Sequence, residues 1–323
     1  MNLIEILKDC KTIGIGGHVR PDGDCVGSCL GLYHYLHKKL PGADITVYLE
    51  FVPEAVKLLA GSDSIVSGYE PGKKHDAFVA LDCGDLARLG FSGPYFQEAG
   101  VTVMVDHHIS NQNSSFGQHA LVDPRASATC EILFDLMEPD GIDKTVAECL
   151  YLGIVHDTNS FKNSNTTEHT MQVAGALIGH GINFTKIIDD SFYMKTYVQN
   201  QILGRCLLES LLALNGKVIL SVLNKRVLDF YQASSQDVDG IIQQLNVTEG
   251  VEVAILVYEL EQDVFKVSLR SHDIVDVSRI ATAFGGGGHV RAAGFTFRGD
   301  SRDVINNLML YISNQLQEHS DDI

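Results

Sequence analysis

One short stretch, residues 101–108, constrains the fold of this chain more than any other. It reads Val-Thr-Val-Met-Val and continues directly into Asp106, His107 and His108. An apolar run rich in β-branched residues is typical of a buried strand in a parallel sheet. Polar groups that follow such a strand lie at the carboxyl edge of the sheet, where open α/β sheets bind their ligands. The stretch therefore predicts a ligand site, and a surface loop with two histidines is the alternative.

The chemistry of these three polar residues favours a metal site. Carboxylate and imidazole ligands suit manganese, zinc or iron. Because adjacent side chains point to opposite sides of an extended chain, one histidine could hold a metal while the other faces a substrate.

Three further apolar segments also end in carboxylates or imidazoles. The residues are His18, Asp22 and Asp24 after a predicted strand at 11–16, Asp82 after a strand at 76–81, and His156 and Asp157 after a helix at 145–155. An acidic surface turn is the alternative for residues 18–24. Four such endings within one region predict that the side chains converge on one site.

The charge balance restricts the class of ligand. The 323 residues include 24 Lys and Arg against 41 Asp and Glu, which gives a formal net charge of −17. The chain therefore lacks the broad basic face that holds long or duplex nucleic acid. A short phosphorylated ligand stays compatible with this charge, since bound divalent metals reverse the local sign of an acidic pocket.

The cysteines and the apolar segments predict a cytoplasmic location. Seven cysteines without a Cys-x-x-Cys pair argue against a disulfide framework and favour a reducing compartment. The charged N-terminus predicts no signal peptide, and no apolar run is long enough to predict a membrane segment.

The four motifs together resemble those of the DHH phosphoesterase superfamily. The matching residues are Gly17-His18-x-x-x-Asp22-x-Asp24, the lone Asp82, Asp106-His107-His108 and His156-Asp157-Thr158. The resemblance implies an α/β fold with a mainly parallel sheet in the N-terminal domain and a centre of two divalent metals. Two Mn²⁺ ions are implied, with Co²⁺ or Mg²⁺ as substitutes.

The resemblance also implies a role for each matching residue. One metal would be held by His18, Asp22 and Asp82, and the second by Asp24, Asp82, His107 and Asp157. Asp82 would bridge the two metals. Asp106 would fix the neighbouring imidazole, and His108 would stabilise charge on the phosphate. Asp82, Asp106 and His108 are accordingly the predicted catalytic residues.

Arg125 allows two interpretations. It lies in the segment 123–129, which precedes a predicted helix at 130–137. Ser127 or Thr129 could simply cap that helix. Alternatively, Arg125 and these hydroxyls could contact the substrate, as the resemblance suggests.

Four consecutive glycines, Gly285–Gly288, are the most distinctive feature of the second half. His289 and Arg291 follow them, and Arg270 ends a predicted strand. We predict a turn, neither helix nor strand, whose backbone amides wrap an anion. A flexible hinge is the alternative. The run resembles the Gly-Gly-Gly-His signature of the C-terminal domain associated with DHH proteins, which implies that the substrate is bound by Arg270, Gly286, Gly287, Gly288, His289 and Arg291.

The order of predicted elements indicates two domains and a linker. A metal-binding catalytic domain is predicted at 1–185, a helical linker at 186–214, and a smaller substrate-binding α/β domain with a mixed sheet at 215–319. The linker belongs to one long helix predicted from about Asn183 to Leu214. A second helix is predicted from about 225 to 246, interrupted at Gly240.

A chain with both domains and no further module resembles the branch of the superfamily that degrades very short RNA. That branch also removes a phosphate from 3′-phosphoadenosine 5′-phosphate (pAp). The expected substrates are single-stranded RNA of about two to five nucleotides, dinucleotides and pAp. A phosphodiesterase for linear or cyclic dinucleotides is the alternative, as is a nucleotide-sensing protein without catalysis. A homodimer is compatible with the resemblance.

Overall fold

The computed structural model describes residues 1–111 and 116–321. It divides into two compact units, Met1–Met194 and Lys195–Ile323. The division falls within the stretch that was predicted as the linker. No helix of the described residues combines the length and the apolar character needed to cross a membrane.

The first unit is built on a five-stranded sheet in which every pair of neighbours is parallel. The strand order is β2-β1-β3-β4-β5. The strands are β1 (Thr12–Gly16), β2 (Asp44–Tyr48), β3 (Ala77–Leu81), β4 (Val101–Asp106) and β5 (His119–Val122). The helices are α1 (Leu3–Leu7), α2 (Gly23–Lys39), α3 (Gly93–Glu98), α4 (Thr129–Leu136), α5 (Lys144–Asp157), α6 (Glu168–Gly179) and α7 (Phe184–Ile188).

Helices cover both faces of this sheet, which explains the continuous apolar strands. All five residues of β3 are buried. Ile13, Val79 and Val105 belong to a core that includes α2, α4 and α5. Phe78 belongs to an aromatic cluster with Phe96 of α3 on the opposite face. Because helices cover both faces, a ligand can reach this sheet only at the ends of its strands.

The second unit contains a six-stranded mixed sheet with the order β10-β11-β9-β8-β7-β6. Among the described strands of this sheet, β7 and β8 are the only pair that is parallel. The strands are β6 (Leu211–Ala213), β7 (Val218–Leu223), β8 (Val253–Glu261), β9 (Val264–Ser271), β10 (Gly287–His289) and β11 (Ala292–Arg298). The helices are α8 (Tyr197–Leu208), α9 (Lys225–Phe230), α10 (Ile241–Asn246), α11 (Val277–Ala283) and α12 (Ser301–Asp321). The predicted α/β class with one parallel and one mixed sheet is confirmed.

The helix predicted from Asn183 to Leu214 is wrong, and the helix predicted at 225–246 is interrupted before α10, at Gly240 as predicted. The stretch from Asn183 to Leu214 contains α7, a π-helical turn, α8 and β6 rather than one helix. Thr196 starts α8 with a capping box, in which its side chain and that of Gln199 bind each other's backbone N–H groups. The stretch 225–246 contains α9 and α10, and Gly240 starts α10 in a left-handed conformation.

The prediction of a pure turn for the four glycines is also wrong. Gly287 and Gly288 lie in the short strand β10, which pairs antiparallel with β11. The glycine run therefore forms one arm of a hairpin, and only its first part is a turn. A run of glycines has no side-chain pattern from which strand pairing could be predicted.

Candidate metal centre and substrate-binding hairpin

The polar residues that end four apolar segments converge at the carboxyl edge of the parallel sheet. The strands β1, β3 and β4 end nearly level, because Gly16 pairs with Ala80 and Leu81 pairs with Val105. The residues brought together are His18, Asp22, Asp24, Asp82, His107 and Asp157. These are the six metal ligands predicted from the sequence.

Asp82 lies between two groups of ligand atoms. Its Oδ2 is 3.4 Å from His18 Nε2, and its Oδ1 is 3.5 Å from His107 Nε2. The residue has a φ of 53°, in the left-handed region that residues other than glycine rarely adopt. Strained backbone of this kind concentrates at functional sites. Its geometry fits a carboxylate that offers one oxygen to each of two cations.

His18 and Asp22 complete the first group. His18 Nε2 lies 3.6 Å from Asp22 Oδ2, while its Nδ1 is 2.8 Å from the carbonyl oxygen of the next residue. The other oxygen of Asp22 accepts two N–H groups in the first turn of α2. Burial alone would lower the pKa of His18, but hydrogen bonds with Asp22 and Asp82 raise it to about 11. Burial alone would raise the pKa of Asp22, but hydrogen bonds with His18 and with the first turn of α2 lower it to about 2.

His107, Asp24 and Asp157 form the second group with Asp82. His107 Nε2 is 3.1 Å from Asp157 Oδ2 and 4.0 Å from Asp24 Oδ2. Asp24 is fully buried, and its oxygens accept the first two N–H groups of α4 at 2.6 and 3.0 Å. The positive end of a helix stabilises such an anion. Even so, burial and the neighbouring carboxylates raise the pKa of Asp24 to about 7 and that of Asp157 to about 8.

These residues fit two divalent cations. Raised pKa values of Asp24, Asp157 and His107 show that the site favours additional positive charge, which a cation would supply in place of protons. Cys25 lies near enough to His18 and Asp82 to join a metal site. Burial raises the pKa of its thiol well above the ordinary value, which disfavours a thiolate while no cation is bound. The other donors are carboxylate oxygens and imidazole nitrogens, a set that suits manganese.

Asp106 orients His108 rather than the adjacent His107. It is fully buried, and its Oδ1 lies 2.7 Å from His108 Nδ1. Its Oδ2 accepts a hydrogen bond from Asn111 Nδ2 at 2.6 Å. The hydrogen bond with Asp106 raises the pKa of His108 although burial opposes the shift. The His108 side chain is 34% exposed, so its Nε2 can meet a substrate.

Sequence analysis named Ser127 and Thr129 at the start of α4 but did not identify Glu131 or the bonds that these residues make. Thr129 Oγ1 donates to Asp82 Oδ1 at 3.2 Å. Glu131 is 3% exposed, and its Oε2 accepts hydrogen bonds from Ser127 Oγ at 2.5 Å and Thr170 Oγ1 at 2.8 Å. Acidic residues in the first turn of a helix are usually exposed, so the sequence carried little signal for a buried Glu131.

The prediction that Ser127 or Thr129 caps α4 is wrong. Ala128 occupies the N-cap position and has no polar side chain, and the carboxylate of Asp24 accepts the first two N–H groups of the helix instead. Arg125 is 89% exposed and binds Asp123 through two hydrogen bonds of 2.9 Å. Within the described residues, the Arg125 side chain contacts none of the predicted metal ligands. Its role as a substrate contact stays a prediction.

In the second unit, strand register places Arg270 and His289 on the same face of the sheet. Ala292 of β11 pairs with Arg270 on one side and with His289 on the other. Directly paired residues of antiparallel strands share a face, so only a methyl group separates the two side chains. Arg270 is half-buried, and its Nη1 donates to its own strand at Leu269 O. Burial lowers the pKa of this guanidinium, and no carboxylate of the described residues pairs with it.

The three glycines predicted to bind substrate differ in what surrounds them. A side chain at Gly286 would meet Gly294 O at 2.3 Å, and one at Gly288 would meet Ala292 O at 2.5 Å. These two glycines are required by the packing of the hairpin. A Cβ at Gly287 would meet nothing within 4 Å. The fold therefore does not explain the glycine at 287, and close approach of a ligand would.

Two family models match the chain. The DHH family, N-terminal domain, matches residues 12–154, and the DHHA1 domain matches residues 215–316. A relative from Thermus thermophilus, "Bifunctional oligoribonuclease and PAP phosphatase NrnA", is 32% identical over 305 residues, which cover 91% of this chain and 87% of the relative. The chain belongs to the DHH family of phosphoesterases. It is accordingly a hydrolytic enzyme.

Two further proteins match over nearly the full length. A relative of the same name from Bacillus subtilis is 24% identical over 323 residues, with 98% of each chain covered. The crystal structure of an exopolyphosphatase-related protein from Bacteroides fragilis matches with a TM-score of 0.83 at 24% identity, covering 96% of this chain and 94% of that chain. The structural likeness supports the fold described above.

Proposed function

We propose that this chain is a manganese-dependent two-metal phosphoesterase that acts on short nucleotides. It would hydrolyse oligoribonucleotides of about two to five residues to mononucleotides, and pAp to AMP. The observation that carries the proposal is Asp82, whose two oxygens face two separate groups of ligand atoms. The relatives from Thermus and Bacillus are both named bifunctional oligoribonucleases and PAP phosphatases, which supports this substrate class.

The metal ligands in this proposal are the six residues that converge at the sheet edge. Cations held by His18, Asp22, Asp24, Asp82, His107 and Asp157 would activate water and neutralise charge on the phosphate. In the reaction an oxygen of water bonds to phosphorus while the ester P–O bond breaks. The leaving oxygen keeps the electron pair of that bond and gains a proton.

His108 would act directly on the phosphate. Asp106 holds its Nδ1, which fixes the ring and directs Nε2 away from the buried carboxylate. The hydrogen bond with Asp106 raises the pKa of His108, which favours the protonated ring whose Nε2 would donate a hydrogen bond to a phosphoryl oxygen. Asp106 would contribute by orienting His108, and Asn111 holds Asp106 in turn.

The second unit would supply the binding energy for the remainder of the substrate. Arg270 and His289 flank a floor of small residues, in which Gly287 pairs with Gly294 and Ala292 lies between the two larger side chains. A flat floor with a guanidinium and an imidazole at its sides suits a phosphate and a sugar or base. A binding surface of this size, on a chain of net charge −17, favours short substrates over long strands.

The test is a substrate panel with Mn²⁺. It contains pAp, RNA of two to about twenty nucleotides, single-stranded DNA, linear and cyclic dinucleotides, and pyrophosphate. We expect the highest kcat/KM on RNA of about two to five nucleotides and on pAp, with a steep decline toward about twenty. Activity should disappear in excess chelator and return with Mn²⁺ or Co²⁺.

Each contrary result has a distinct meaning. Full turnover in chelator after dialysis would exclude the two-metal centre. Turnover of dinucleotides without turnover of pAp would favour a dinucleotide phosphodiesterase. Nucleotide binding without turnover under any metal would favour a sensing protein. The cytoplasmic location and the homodimer stay predictions, to be tested by fractionation and by sedimentation.

A further inference from the structure

The hairpin that carries the glycine run is bonded to a second loop, residues 272–276. Ser271 N–H donates to Arg291 O at 3.1 Å just before this loop. Val277 N–H donates to Val290 O at 3.0 Å just after it. These bonds fix both ends of the loop to the tip of the hairpin. A change in the conformation of the loop would therefore also change the conformation of the hairpin tip.

The buried carboxylate of Glu252 holds this loop from one side. Glu252 is 6% exposed and directly precedes β8. Its Oε1 accepts hydrogen bonds from Ile274 N at 2.7 Å and Val275 N at 2.9 Å, and both oxygens accept from Asp273 N at 3.2 Å. Three successive amides around one carboxylate form an anion-binding nest, filled here by the chain itself. Because a buried carboxylate needs such donors, Glu252 and the loop conformation depend on each other.

Arg291 holds the same loop from the other side. Its Nη1 donates to Val275 O at 3.0 Å, and its Nη2 donates to Asp273 O. The loop therefore presents its N–H groups to an anion and its carbonyl oxygens to a cation. The peptide dipoles of residues 273–275 connect the two charged side chains, which stabilises a single loop conformation.

We propose that Glu252 and Arg291 are positioning residues, which hold the His289 hairpin in its substrate-binding conformation without contacting substrate themselves. This inference rests on the substrate-binding role proposed above for His289. It assigns Arg291 a different role from the one predicted from the sequence, in which Arg291 was a substrate ligand. The reason is that the two terminal nitrogens of Arg291 are directed at backbone carbonyls of the loop.

Hydrogen exchange of the full chain tests the structural half of the proposal. In Arg291→Ala, we expect the Val277 amide to exchange about tenfold faster or more, because its acceptor lies in the released hairpin. Glu252→Ala should have the same effect, and Glu252→Gln should restore part of the protection because its amide oxygen can still accept. Arg298→Ala is the matched control, since Arg298 is an exposed arginine at the far end of β11.

Unchanged exchange in Arg291→Ala would overturn the proposal. Because Arg291 is exposed as a whole, this variant should fold even where Glu252→Ala does not. The exchange measurement needs no substrate, so it remains decisive if the proposed function fails.

A double-mutant cycle tests the functional half. We expect Arg291→Ala to raise KM for pAp several-fold with little change in kcat. If Arg291 acts through His289, the double variant His289→Ala/Arg291→Ala should have the KM of His289→Ala alone. A KM equal to the product of the two single effects would show that Arg291 binds substrate directly, and would overturn the assignment.

Discussion

In the candidate metal centre, charged side chains from four chain segments lie within a few ångströms of one another, whereas in the proposed substrate-binding region of β9, β10 and β11 small residues separate the charged groups. His107 and Asp157 approach to 3.1 Å in the first region. In the second, Ala292 lies between Arg270 and His289. The first region therefore depends on which side chains are present, and the second depends equally on which are absent.

The two regions also hold their active groups differently. Backbone amides of α4 bind Asp24, and Asn111 binds Asp106, so buried donors fix the carboxylates of the metal centre. In the second region, the pairing of β11 with β9 and β10 sets the positions of Arg270 and His289. We expect substitutions in the metal centre to reduce catalysis, and substitutions in the hairpin to weaken binding or folding. The predictions below test this contrast in order of decreasing effect.

Asp82→Ala should have the largest effect, a loss of at least about a thousandfold in kcat. The bridging carboxylate serves both proposed cations, so its removal affects both. Rate measurements with Mn²⁺, together with metal analysis, check this. Asp63→Ala removes an exposed aspartate of the same unit and is the control. Near wild-type turnover in Asp82→Ala would contradict the bridging assignment.

The adjacent histidines should separate in their effects. His107→Ala should lose bound metal, because His107 Nε2 faces three carboxylates. His108→Ala should keep its metal and lose about a hundredfold in kcat, because His108 is proposed to act on the phosphate. Metal analysis by mass spectrometry and steady-state kinetics distinguish the two. The reverse pattern would mean that the roles of the two histidines are exchanged.

Arg270→Ala and His289→Ala should each raise KM for dinucleotides and pAp about tenfold, the loss expected for one charge-assisted contact. Metal content should not change in either variant. The measurement is KM with RNA of two and of about twenty nucleotides. Wild-type KM in both variants, with equal rates on short and long RNA, would remove the hairpin from substrate binding.

Substitution by alanine should have different effects at the two glycines of β10. Gly288 has a φ of 146°, and a Cβ there would lie 2.5 Å from Ala292 O. Gly288→Ala should therefore lower the free energy of unfolding by about 1–3 kcal/mol. Gly287→Ala should leave stability within about 0.5 kcal/mol and raise KM instead, because the space above Gly287 is open. Thermal unfolding and KM check both, and equal losses of stability would mean that Gly287 is also a packing glycine.

Strands β1, β3 and β4 of the first unit, and the residues at their ends, were predictable from the sequence alone. Apolar runs such as 101–105 are buried on both faces of a parallel sheet, and the fold has few ways to accommodate them. Carboxylates and imidazoles directly after several such runs meet at one sheet edge in any parallel arrangement. This local information was enough to predict that His18, Asp82 and His107 lie close together.

Tertiary structure alone decided which groups support these residues. The partner of Asp106 is His108, two residues away, because Asn111 and the turn after β4 fix the carboxylate. Glu131 contacts Thr170, 39 residues further along the chain, and no local pattern predicts so distant a contact. Tertiary structure also decided that part of the glycine run forms a strand and that Arg291 bonds to its neighbouring loop. Hydrogen bonds between segments far apart in the sequence depend on register and packing, which the whole fold determines.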